Sequence, residues 1–237
     1  MKKTVLLILI FPFIVISCSP EGTVDDLRTN KKVNFKKPKM TLQGPDNNTN
    51  PYDSAGRLHN EILEIYLATS SGNTLIEDIM AQIQLIGLSN TFNIVQDCSA
   101  PTSINIINTI LINPQSSGSA IIENSVLTVP AKAKIATLLN SLALIKTNPY
   151  EDIYEFITTY ESEILLNDLL NNEDRRVILT TASIARYSIY YEKKKDRDWD
   201  SSAGNHIGGL VGALDINLSP VIMALVAGIA QNNLIVN

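Results

Sequence analysis

The sequence predicts an all-α protein: an irregular multi-helix bundle over residues 51–237, following a disordered N-terminal tether. Three observations predict it. Apolar residues recur at three- and four-residue spacing in six successive stretches after Pro51, the period of a helix that buries one face. Helix-start chemistry, an asparagine or a proline followed by acids, precedes several of those stretches. Strand-like runs are limited to residues 91–96 and 121–129, and both are short. Hydrophobic residues make up 45% of the chain, enough for a core, and the folded part suits one domain or two small ones.

The chain opens Met1-Lys2-Lys3, runs apolar from Val5 to Ile16 and reaches Ser17-Cys18. A charged start, an apolar centre and a small residue before a cut site make residues 1–17 a secretory signal peptide. The apolar run is shorter than the roughly 20 residues that span a bilayer, and Pro12 interrupts it. Val15-Ile16-Ser17-Cys18 resembles the bacterial lipobox. That resemblance implies cleavage before Cys18 and acylation of its thiol, palmitate being a typical chain. The alternative is an ordinary signal peptide with an incidental cysteine. A single acyl chain holds a protein only marginally, whereas the two or three of a lipoprotein hold it firmly, so the expected state is anchored rather than spanning.

Residues 18–50 read as the tether. Pro20, Gly22, Pro38, Gly44, Pro45 and the run Asp46-Asn47-Asn48-Thr49-Asn50 leave little apolar surface to offset ordering entropy. As a flexible coil the segment reaches roughly 30 Å on average. Its lysines, Lys31, Lys32, Lys36, Lys37 and Lys39, suit either plain solvation or contact with anionic head groups or polysaccharide.

Six helical faces follow in order. Leu58, Ile62, Ile65, Tyr66 and Thr69 form the first. Leu75, Ile76, Ile79, Met80, Ile83 and Ile86 form the second, with Asn73 as its cap. Ile104, Ile107, Ile110 and Leu111 form a third that ends before Pro114. Ile135, Leu138, Leu139 and Leu142 follow Pro130, a first-turn proline. Ile153, Phe156, Ile157, Tyr160 and Ile164 follow Asn148-Pro149, with Glu151 and Asp152 where the helix dipole favours acids. Val177, Thr181, Ile184, Ser188 and Tyr191 form the sixth, closed by Lys193, Lys194 and Lys195. Asn50-Pro51-Tyr52-Asp53 and Asn148-Pro149-Tyr150-Glu151 share start chemistry, not a repeat. The glycine-dotted stretch 204–230 reads as a buried hairpin of two short helices, since small residues permit close packing.

Several chemistries are excluded. Without residues 1–17 the chain loses two lysines and no acid, leaving 17 basic and 24 acidic side chains, a net charge of −7. That balance argues against nucleic acid as a partner. With Cys18 acylated, Cys98 is the one remaining thiol, which excludes an intramolecular disulfide and a cysteine-rich zinc site and suits a small buried residue. His59 and Glu61 are two apart and cannot form a helix-borne metal motif. No Gly-Lys-Ser/Thr follows the glycines, so there is no phosphate loop.

The segment from Asn50 to Glu61, NPYDSAGRLHNE, and Ser183-Ile184-Ala185-Arg186-Tyr187-Ser188-Ile189-Tyr190-Tyr191 resemble motifs of small helical lipoproteins of Bacteroidota. The resemblance covers most of residues 50–230. It implies an organism class and a cell-envelope address at the outer membrane, on its periplasmic face or the surface, and it brings no activity with it.

Two places invite chemistry. Asp53, His59 and Glu61 form either a functional cluster, with His59 meeting Arg186 or Tyr190 from another helix, or a contact that locks helices, with Asp53 capping and Arg57 pairing with Glu61. Arg186 with Tyr187, Tyr190 and Tyr191 offers a forked donor beside aromatic faces, fit for a ligand or for a buried hydrogen-bonded patch. No catalytic residue, metal or cofactor is assigned. The favoured expectation is a lipid-anchored, non-catalytic binding domain that meets the membrane through its lipid and an envelope protein or glycan through its fold. The alternatives are a hydrolase or lyase using His59 with Arg186 or Tyr190, and a membrane-active segment over 204–230.

Overall fold

The structure is a computed structural model that describes residues 43–70, 72–89, 92, 94, 98–196 and 198–236. The expected signal peptide, Cys18, the lysine cluster and the expected tether up to residue 42 lie outside the described residues, as do most of residues 91–96.

Nine α-helices form among the described residues, with no strand: α1 (Asp53–Thr69), α2 (Ile76–Gly87), α3 (Pro101–Ile112), α4 (Pro114–Asn124), α5 (Val129–Ile145), α6 (Tyr150–Leu165), α7 (Asn172–Tyr190), α8 (Ala203–Leu214) and α9 (Pro220–Val236). The all-α expectation holds. Prolines open α3, α4 and α9, where the missing N–H costs nothing. Asn171 and Asp174 make a reciprocal capping box at the start of α7, and Asp174 also accepts from the N–H and hydroxyl of Thr128. That second pair of bonds ties the start of α7 to the start of α5.

The strand-like run over 121–129 is the end of α4, a short turn and the first residue of α5, in keeping with the all-α reading. Asn113 caps α4 by accepting from Ser116 N–H, so the serine-rich stretch 115–124 is helical, and Thr128 caps α5. Phe92 lies in a turn and Ile94 in irregular chain. Three local expectations change. The residue before α2 is Leu75 and no side chain caps the helix. Asp53 is the first residue of α1, not its cap. α1 is rotated relative to the apolar count: Gly56, His59, Ile62, Leu63 and Tyr66 are buried, while Ile65 and Thr69 face solvent. Gly56 sets that rotation, because a Cβ there would sit 2.4 Å from the Tyr187 ring.

α7 is the axis of the fold. From Val177 to Ile189 every side of it is buried, against α1 on one flank and α5, α6 and α8 on others. Two apolar clusters result, one centred on α1, α2, α3 and α9, the other on α5, α6, α7 and α8. Cys98 is buried in the first, where its sulfur accepts from Ser219 N–H. The last turn of α7 widens into a π-helical turn, Tyr191–Lys195.

Residues 44–50, assigned to the tether by composition, belong to the folded unit. Gly44 and Asp46 carbonyls accept from the hydroxyls of Tyr150 and Tyr154, and Asn50 is buried. The reason is hydrogen bonding rather than apolar burial: the asparagines find buried acceptors.

α8 and α9 form the buried hairpin that the glycines suggest. None of the described helices is long and apolar enough to cross a membrane. A Cβ on Gly208 would lie 2.4 Å from the Met223 carbonyl oxygen, whereas one on Gly209 would meet Ile184 at an ordinary 3.4 Å. Two adjacent substitutions therefore have opposite signs. Gly208→Ala should destabilise by about 1–3 kcal/mol through overpacking against backbone. Gly209→Ala should be neutral or gain up to about 1 kcal/mol of helix propensity. Urea unfolding of both variants checks the pair.

Candidate functional site

The predicted site residues separate into three places. The first is a buried ionic cluster. Arg186 on α7 is fully buried and bonds Asp53 on α1 and Glu161 on α6, the latter at 3.3 Å. Glu161 is also fully buried and takes the amide N–H groups of Asn47 at 2.6 Å and Asn50 at 2.8 Å. The Tyr187 hydroxyl donates toward both Asp46 (2.8 Å) and Asp53 (2.9 Å), sharing one proton between two carboxylates. The Arg186 guanidinium lies 5.4 Å from the Tyr187 ring centre. Burial pushes the Glu161 carboxyl up, and Arg186 and the two asparagines pull it back down. Burial first, then the neighbouring carboxylates, raise the Tyr187 phenol. The cluster joins α1, α6, α7 and residues 46–50, a structural role.

Tyr190 is not part of it. Its ring packs edge-on against Tyr150 at 5.3 Å. Glu61 stands exposed and only loosely paired with Arg57, at 3.9 Å.

The second place holds His59. It meets neither Arg186 nor Tyr190, because the rotation of α1 turns it toward α8. Its Nδ1 bonds Asn60 at 2.9 Å and its Nε2 bonds the Asn205 amide at 2.7 Å. Asn205 also donates to the Ala224 carbonyl, and Asn60 donates to the Tyr187 carbonyl. Since the Asn205 amide nitrogen only donates, Nε2 accepts and Nδ1 carries the proton: a neutral ring with both nitrogens occupied. His59 has no exposed surface and packs edge-on to Trp199. It locks α1 to the α8–α9 hairpin.

The third place is absent from the sequence expectations. A cavity of about 840 Å³ opens between α4, α5 and α8. Ile122, Leu139, Leu142, Ile153, Ile189 and Ile207 supply its apolar walls. At one end stand Ser201, Ser202 and His206, with the Ser201 hydroxyl 3.0 Å from His206 Nε2. Lys146 pairs with Asp200 at the mouth, and Glu192 accepts from Ser201 N–H while pairing with Lys193. The one local signal for this end is Ser201-Ser202 ahead of a helix, Ser202 capping α8 by accepting from Asn205 N–H.

Among the described residues no group of three or more histidines, cysteines or carboxylates is placed to hold a metal ion. No family model, no curated protein and no solved structure matches the chain.

Both histidines are buried, and desolvation lowers each from 6.5 to about 4. The folded state therefore binds fewer protons than the unfolded state between about pH 4 and 6.5. Their contribution is complete above pH 6.5 and is lost as pH falls toward 4, with each ring worth about 3 kcal/mol at most. Unfolding free energy measured in urea should fall steeply from pH 7 to pH 4.5. A flat profile over that range would contradict the buried neutral assignment.

Proposed function

We propose that the chain is a cell-envelope lipoprotein, anchored through acylated Cys18, whose folded part is a non-catalytic binding module. The observation that carries the binding reading is the cavity of about 840 Å³ with aliphatic walls and a polar end. Its size falls within the roughly 300–1,000 Å³ of small-ligand pockets. The anchor rests on the Ser17-Cys18 junction after a short apolar run. About 25 residues separate Cys18 from Gly44, the first of the described residues with a hydrogen bond to the domain.

The buried clusters do not favour an enzyme. Arg186 is paired with Glu161 and Asp53 inside the bundle, and His59 has no surface for a substrate. A membrane-active role for 204–230 finds no apolar face to use in this conformation, since Leu210, Ala213 and Val221–Ala227 are at most 4% exposed. The Ser201–His206 pair favours a second reading, because a serine bonded to a histidine beside a cavity is the start of a nucleophilic site. Against it, desolvation and then the Lys146 charge hold His206 at about 4, too weak a base to retain the serine proton.

Two measurements test the proposal. In Triton X-114 partitioning the parent chain should follow the detergent phase and Cys18→Ser the aqueous phase. Saturating the Cys18→Ser chain with n-decane, which has no head group, should raise its thermal midpoint, since a ligand bound to the native state stabilises it. Ala136→Phe, which puts a ring into the cavity, should abolish the rise. The absence of any rise with the cavity intact would overturn the binding reading.

A further inference from the structure

We infer that the cavity takes a single-chain aliphatic lipid with an uncharged, hydroxyl-bearing head, of the monoacylglycerol or fatty-alcohol class; this rests on the binding reading above.

The walls decide the body of the ligand. None of the residues lining the cavity is Phe, Tyr or Trp. Planar rings and sugars are held by stacking on aromatic faces, and here there is no such platform. Isoleucines and leucines from five helices present branched aliphatic surface instead, which rewards a chain of methylenes at about 0.8 kcal/mol each.

The mouth decides the charge. Lys146 is engaged by Asp200, while Glu192 is engaged by Lys193 at 3.3 Å and by the Ser201 N–H at 3.0 Å. A carboxylate head would have to displace Asp200 from its lysine beside two acids. A cationic head would have to compete with a lysine already in place. At this end either ion loses hydration without gaining an unpaired counter-charge, which is the expensive case; Lys132, the lining lysine in no ion pair among the described residues, donates to the Glu123 carbonyl about 21 Å back along α5.

The inner end decides the hydrogen bonding. Ser201 and His206, each more than nine-tenths buried, line the cavity and bond each other at 3.0 Å. If the serine proton lies on the bond to Nε2, the hydroxyl oxygen keeps lone pairs for an incoming O–H. If Nε2 carries the proton, the serine O–H is left to donate. A neutral hydroxyl head, which both donates and accepts, satisfies either tautomer. A buried histidine held neutral by its surroundings is consistent with a neutral neighbour.

The test uses the Cys18→Ser chain and three ligands of equal chain length: 1-monomyristoylglycerol, myristate and myristoylcholine, titrated by calorimetry below their aggregation concentrations. The expected result is one-to-one binding of the monoacylglycerol, with the two charged lipids at least about tenfold weaker, the scale of an uncompensated polar group. Ser201→Ala should weaken the monoacylglycerol severalfold and leave decane uptake unchanged. Equal or tighter binding of myristate or myristoylcholine would overturn the neutral-head inference while leaving the cavity reading intact. No saturable binding of any of the three would also overturn it, and the decane result would then show separately whether the cavity binds at all.

Discussion

A charge buried at the centre of a helix bundle constrains everything packed around it. Arg186 has no solvent contact, and α7, which carries it, is enclosed on every side. A guanidinium in that position folds only with anions beside it, because the desolvation of an unpaired ion exceeds what apolar packing returns. Asp53 and Glu161 supply the anions from α1 and α6, helices distant in sequence. The carboxylates in turn need donors, and Asn47, Asn50 and Tyr187 supply them. Each demand recruits another element, so the pairing of α1, α6 and α7 is specified by hydrogen-bond satisfaction as well as by shape. Residues 46–50 are held by the same logic despite having almost no apolar surface.

The second constraint is close approach without side chains. Gly204, Gly208 and Gly212 let α8 lie on α9 at backbone contact, which seals the most apolar stretch of the chain inside the fold. His59 and Asn205 bolt that hairpin to α1. The cavity lies on the far side of α8, where α4 and α5 meet it less tightly, and its polar end falls at the start of α8. The part of the molecule that locks and the part that stays open are thus different faces of α8.

Much of the fold was legible in the sequence because helical burial writes a period into it. The six apolar faces correspond to α1, α2, α3, α5, α6 and α7, and the glycine stretch corresponds to α8 and α9. α4 was not legible: Gln115 to Ser119 is short and carries no large apolar residue, and only the start signals Asn113 and Pro114 mark it. The Arg186 neighbourhood was partly legible, since Asp53 and Tyr187 were singled out. Glu161 was missed, though its place four residues after Ile157 sets it within the apolar stripe of α6. His59 was singled out for chemistry and turned out to be a bolt, because a one-residue rotation of a helix decides which neighbour a side chain meets. The cavity was illegible because five helices build it, and no local pattern encodes where packing stops short.

The claim that a buried ionic cluster specifies the bundle is tested most directly by a double-mutant cycle on Arg186→Met and Glu161→Leu, read by urea unfolding. Each single change should cost about 3–5 kcal/mol, because it leaves the other charge buried with too few partners. The double variant should cost less than the sum by at least about 1 kcal/mol, since neither charge is then stranded. Strictly additive losses, or single variants as stable as the parent, would contradict the account.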